Sequence, residues 1–157
     1  MLWKHLFVGN YLYVDISSQW TGDLEPGLTT HAISPPFHES LFGVRKCLAM
    51  LVNAYGPHVG GLAVLDERGR YVKKYIGDEK NALLKDWFVW STQLFPEQVL
   101  FVLEATKGGT VAADDKGDIC VDDVVVFEGA CGEKHPSFSI QNSVIANSLF
   151  VFMLFFF

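Results

Sequence analysis

Glycine and proline interrupt the chain at short intervals, and between them lie short runs in which apolar residues either alternate with polar ones or continue unbroken. An amphipathic helix needs apolar residues recurring every three to four positions over several turns, and no long segment has that spacing. Short strands separated by turn residues predict an all-β sandwich or barrel. Residues 11–16 (YLYVDI) read as the first strand, and the polar stretch 17–27, with Gly22, Pro26 and Gly27, as a loop. Residues 29–34 form a short strand that ends at Pro35-Pro36, because the residue before a proline is pushed to extended geometry.

The middle of the chain follows the same rule. Residues 47–55 (CLAMLVNAY) are apolar enough for a buried strand, although 48–51 alone would also suit a helix. Residues 61–66 and 70–76 flank Glu67-Arg68-Gly69, a short turn with a glycine available for positive φ, and so predict a β-hairpin. A helical turn is expected at 81–85, strands at 87–92 and 98–105, a polar loop at 107–117, and a last strand in GDICVDDVVVFEGACG, residues 117–132. Beyond Gly132 the composition changes, so 1–132 is expected to be the domain and 133–157 a tail outside it.

Composition narrows the function classes. Half of the 157 residues are hydrophobic, enough for one domain with a core of its own. A net charge of -6, with 12 basic residues that nowhere cluster, offers no electrostatic footprint for nucleic acid or an anionic membrane surface. The N-terminal MLWKHLFVGNYLYV lacks a sustained apolar core and a cleavage site, so it is a poor signal peptide. The C-terminal run 149–157 (LFVFMLFFF) is shorter than the roughly 20 residues a membrane-spanning helix needs. It stands as a buried or sticky segment, a truncated span or spurious end, or an anchor signal removed later.

No catalytic constellation is evident. His5, His31, His38, His58 and His135 show no metal-ligand spacing, no serine sits in a nucleophile elbow, and the acid pairs Asp78-Glu79 and Asp114-Asp115 read as solvated loop residues. Phe42, Trp87, Trp90 and Phe95 fall in or beside strands and are expected in the core.

The run VLFVLEATKGG followed by GDICVDDVVVFEGACG resembles the end of a MAM domain, the module of meprins, neuropilins and receptor protein tyrosine phosphatases. Other stretches follow in the family's order: GNYLYVD at 9–15, Ile33-Ser34-Pro35, Cys47-Leu48 through Tyr55-Gly56, VGGLAV at 59–64, and Gly77-Asp78 with Asn81. The family's opening strand, with its own cysteine, has no counterpart, and Lys46 stands where an apolar residue normally precedes the cysteine. The resemblance implies an antiparallel jelly-roll β-sandwich whose first strand is missing, leaving an open sheet edge.

It also implies a disulfide between Cys47 and Cys131; read from the residues alone, two reduced buried thiols are the other possibility. Cys120 replaces a small residue in the last strand and is expected as a buried, inert free thiol. Alternation along that strand places Asp118 and Asp122 on one face and Asp123 on the other. Because some MAM domains carry a cation near this pair, Asp123 and Asp118 are candidate ligands of a Ca²⁺-like site; structural bonding of a loop and plain solvation are the other roles open to them. No other cofactor is expected. By the resemblance the chain is a non-catalytic, extracellular adhesion or oligomerisation module of a larger secreted or membrane-anchored protein, with protein partners that include further copies of itself. It would meet a membrane only through that parent protein or the apolar tail. The alternative is a carbohydrate-binding jelly roll, since the fold alone does not set the ligand.

Overall fold

The computed structural model describes residues 2–5, 11–15, 27–56, 59–76, 87–108, 118–132 and 153–155. In these the chain is all-β, apart from one 3-10 turn at Glu39–Leu41. The strands are β1 (Leu2–His5), β2 (Leu12–Asp15), β3 (Thr29–Ile33), β4 (Lys46–Tyr55), β5 (Val59–Leu65), β6 (Tyr71–Ile76), β7 (Phe88–Leu94), β8 (Val102–Lys107), β9 (Asp118–Glu128) and β10 (Met153–Phe155). They form two antiparallel five-stranded sheets, ordered β1-β2-β9-β4-β7 and β10-β3-β8-β5-β6. The inner eight strands, taken as 2-9-4-7 facing 3-8-5-6, are the jelly roll: the chain crosses between sheets, or turns at their rim, so that strands distant in sequence become neighbours.

The core lies between the sheets and is built from alternate positions. Leu48, Met50, Val52 and Ala54 of β4 face Leu62 and Val64 of β5 and Leu103 and Ala105 of β8, with Ile119, Val121, Trp90 and Phe101 completing the layer. Burial of such residues contributes about 1.5–3 kcal/mol each, which is what the period-two apolar pattern secures. The expected hairpin is present: Gly69, at φ 76°, closes the β5–β6 turn by donating its N–H to the Asp66 carbonyl.

Three elements differ from the sequence reading. The strand expected over 98–105 begins only at Val102, because Gln98 is held in a turn, its N–H bonded to the Phe95 carbonyl and its buried amide donating to the Leu100 carbonyl at 2.8 Å. Residues 11–16 do not supply the chain's first strand: β1 precedes them and pairs with β2, occupying the edge that the resemblance leaves open there. Met153–Phe155, from the apolar run expected to lie outside the domain, pairs with β3 as β10, which satisfies backbone groups of that edge. No helix among the described residues is long and apolar enough to cross a membrane. The helical turn expected at 81–85 lies outside the described residues.

Candidate functional site

The outer face of the first sheet gathers most of the residues singled out in the sequence. Cys47 points outward from the start of β4, and the exit of β9 returns over it to place Cys131 within disulfide distance, with a Cα–Cα separation of 5.2 Å. Gln93 of β7 holds the returning segment: its amide donates to the Lys46 and Gly129 carbonyls at 2.6 and 3.3 Å, and its carbonyl oxygen accepts from the Cys131 N–H. The bridge therefore clamps the end of β9 onto β4 and β7. Its neighbour Lys46 points the other way and is fully buried. The ammonium donates to the Leu41 and Pro96 carbonyls at 2.8 and 2.7 Å and lies 5.8 Å from the Phe37 ring centroid. Burial lowers its pKa against the pull of Glu97 and Glu67.

Cys120 is the free, buried thiol expected. Desolvation, aided by the charge of Asp118, pushes it up to about 12, so it is a poor nucleophile at neutral pH. Asp118 sits opposite Tyr55 of β4 and two residues along β9 from Cys120, the partner of Tyr13 on β2. The Tyr13 hydroxyl donates to one carboxylate oxygen at 2.8 Å and the Tyr55 hydroxyl to the other in a short bond. The Tyr55 phenol is raised well above its ordinary value, chiefly by that bond and then by burial. Asp118 thus pins three adjacent strands, β2, β9 and β4, to one another.

Asp123 does not join it. Strict alternation after Ile119 and Val121 would turn Asp123 into the core, but the β4–β9 register shifts between Ala49 and Leu51, so that Asp123 and Val124 together stand against Met50. This β-bulge puts Asp123 at φ 48°, in the left-handed region, and exposes it, while Val124 and Val126 take up the core-facing phase. The two-face assignment of the aspartates is corrected accordingly: Asp123 faces solvent. Asp122, half-buried at the bulge, has its carboxyl raised by burial, with the Asp123 N–H opposing and the Asp123 charge adding to the shift. Among the described residues no three His, Cys, Asp or Glu side chains converge as metal ligands.

Aromatic and apolar side chains share this face. Trp87 is 42% and Val89 52% exposed at the start of β7, and the Tyr11 ring meets Trp87 edge-on at 6.0 Å. Phe42, also expected in the core, is exposed, and Phe95 lies under the Arg70 guanidinium at 4.6 Å; of the four aromatics assigned to the core, Trp90 is the one buried there.

On the opposite sheet the structure assembles a group the sequence did not suggest. Glu104 of β8 is buried, with one oxygen bonded to His31 Nε2 at 2.8 Å and the other accepting from the Tyr71 hydroxyl at 2.9 Å. The only sequence signal is the polar residue inside VLFVLEA; its partners lie on β3 and β6 and become visible only with the strand pairing.

No protein family and no curated protein matches the chain. Among solved structures it resembles the K3 cleaved adhesin domain of the Lys-gingipain of Porphyromonas gingivalis W83. The two share 17% sequence identity and a TM-score of 0.54, over 76% of this chain and 74% of that one. At that identity the likeness is one of fold: a β-sandwich of the same general build.

Proposed function

We propose that this chain is an extracellular, non-catalytic protein-interaction module of the MAM type, serving adhesion or oligomerisation within a larger secreted or membrane-anchored protein. The observation that carries the reading is the disulfide from Cys47 to Cys131, which closes the domain at the position the MAM resemblance specifies. Disulfides persist in oxidising compartments and are rare in the cytosol. The fold is shared with a domain described as an adhesin. The exposed Trp87 and Val89 offer the kind of aromatic and apolar surface that anchors protein interfaces. Asp118, with both oxygens engaged by tyrosines, and Asp123, turned away on the bulge, serve structure and solvation, and the module works without a cofactor.

The test pairs two measurements on protein made through a secretory route. Non-reducing peptide mapping is expected to find a Cys47–Cys131 linked peptide with Cys120 alkylatable only after unfolding. Beads coated with the domain are expected to bind cells or one another, with no loss on chelation. Three alkylatable thiols together with inert beads would sink the proposal.

A second reading is favoured by one observation, the exposed Trp87 ring edge-on to the half-buried Tyr11, since aromatic rings on a sheet face also suit stacking against sugars. A glycan array separates the two: a saccharide hit lost in Trp87→Ala supports carbohydrate binding, and a blank array leaves the protein-interaction module.

A further inference from the structure

Gln93 stands directly opposite Cys47 in the β4–β7 register, on the same outward face of the first sheet. A side-chain amide carries two N–H donors and two acceptor lone pairs, and here all four are engaged. Nε2 donates to the Lys46 carbonyl at 2.6 Å and to the Gly129 carbonyl at 3.3 Å. Oε1 accepts from Arg45 Nε at 3.2 Å and from the Cys131 N–H at 3.3 Å. Arg45 and Lys46 immediately precede Cys47, while Gly129 and Cys131 belong to the segment that brings in the second sulfur. The same two segments also meet through the backbone, where the Gly129 N–H donates to the Arg45 carbonyl at 2.8 Å. None of these contacts involves a sulfur atom.

The sheet also keeps the third thiol away. Cys120 is the cross-strand partner of Asn53, which lies six residues along β4 from Cys47, roughly 20 Å at about 3.3 Å per residue. A disulfide needs Cα atoms within about 7 Å of each other. In the folded sheet Cys47 therefore reaches Cys131 and not Cys120, whereas in an unfolded chain any two of the cysteines can meet.

We infer that Gln93 is a positioning residue for the disulfide: it seats the Cys131 segment beside Cys47 before any sulfur bond exists. The bridge then closes, and recloses after reduction, on a domain already folded. Closure needs an oxidant, here a small-molecule disulfide such as oxidised glutathione. Cys131 is the point of attack, because it is half-buried while Cys47 is 1% exposed. Its thiolate attacks one sulfur of the reagent, forming a mixed disulfide and releasing one thiol. The Cys47 thiolate next attacks Cys131 Sγ and expels the second. The two cysteines lose two electrons and two protons, and the reagent takes them up as two thiols. The inference rests on the Cys47–Cys131 bridge that carries the proposed function, and adds what makes that bridge form correctly and reversibly.

The experiment takes the full chain, reduced under native conditions, and follows closure in glutathione buffers of fixed ratio by acid quenching, alkylation and peptide mapping. Circular dichroism and thermal melting establish that each variant is folded before oxidation. The reduced parent chain is expected to be folded and to join only Cys47 with Cys131. In Gln93→Ala the equilibrium constant for closure should fall about tenfold, the effect of losing two hydrogen bonds to the Cys131 segment, with mixed disulfide accumulating at Cys131. Gln93→Glu keeps acceptor oxygens but loses both donors, so it should shift the constant the same way, and it stands in if Gln93→Ala does not fold. Gly60→Ala, which strains the second sheet, should leave the constant unchanged and so separates positioning from general stability. Cys120→Ser should close as the parent does. Closure of Gln93→Ala and Gln93→Glu as complete as in the parent overturns this inference alone and leaves the proposed function standing. So does a parent chain that is bridged on secretion but cannot reclose once reduced in the folded state. If neither preparation yields a Cys47–Cys131 peptide, the inference and the reading beneath it fall together.

Discussion

Asp66 shows how one side chain can hold a turn. Buried at the end of the β5 run, its carboxylate accepts from the Arg68 and Arg70 N–H groups at 2.9 and 2.8 Å and from Arg70 Nε at 2.5 Å. Burial alone would raise this carboxyl, but the N–H donors and the guanidinium outweigh it and hold it below the usual carboxylate range. A depressed folded-state pKa means that the unfolded chain binds more protons as the pH falls below about 4, so stability present above that pH is lost as the pH passes down through the folded value. Urea unfolding across the acid range is expected to show that loss in the parent chain and a shallower one in Asp66→Asn. Asp66→Ala at neutral pH should cost about 1–3 kcal/mol, because buried N–H groups lose their acceptor. The turn was legible in the sequence from Glu67-Arg68-Gly69; the role of Asp66 was not, since an aspartate before a turn reads equally well as solvated. Lys46 is the same kind of case: its position was visibly unusual, but its two carbonyl acceptors come from segments that only folding brings to it.

At the scale of the strand, the decisive feature is the bulge in β9. Period-two alternation is a local property, and it correctly places Ile119 and Val121 in the core, but inserting one residue against Met50 reverses the phase of everything that follows. Asp123 occupies the position where such bulges usually carry glycine. Asp123→Gly is therefore expected to keep the fold and raise stability by up to about 1 kcal/mol, and Asp123→Val to lower it by about 1–2 kcal/mol, both read from denaturant midpoints. A second constraint lies where β5 begins beside the end of β8. A Cβ placed on Gly60 would come within 2.6 Å of the Gly108 backbone, so Gly60→Ala must separate the two strands and should destabilise measurably in the same assay. Asp123 marks its special backbone only weakly in the sequence, because aspartate tolerates the left-handed region better than most residues and so gives no signal of its own.

For the whole molecule, the disulfide is the largest single constraint. It joins residues 84 apart and so closes most of the domain into one loop. In the chain-entropy account such a loop contributes about 4–5 kcal/mol, an upper figure when residual structure in the unfolded chain is allowed for. Cys47→Ser with Cys131→Ser is expected to lower the unfolding free energy by about 2–5 kcal/mol while retaining β-sheet circular dichroism, since the jelly-roll core between the sheets is untouched. A double variant as stable as the parent would mean that the bridge contributes nothing in solution.

What the sequence determined by itself is what short-range patterning can encode: the all-β class, the positions of most strands, the β5–β6 hairpin, the buried thiol at Cys120 and, through resemblance, the partner of Cys47. The tertiary structure alone decided which strands became neighbours, and with that the pairing of Tyr13 with Asp118 across 105 residues and of Tyr55 with Asp118 across 63. It decided equally the His31–Glu104–Tyr71 group, the solvent-facing turn of Asp123 and the exposure of Trp87 at the start of β7. The physical reason is common to all of these. Alternation fixes the face a side chain takes relative to its immediate neighbours, whereas register, bulges and sheet edges depend on backbone pairing between segments far apart in the chain, where local sequence carries no record of its partner.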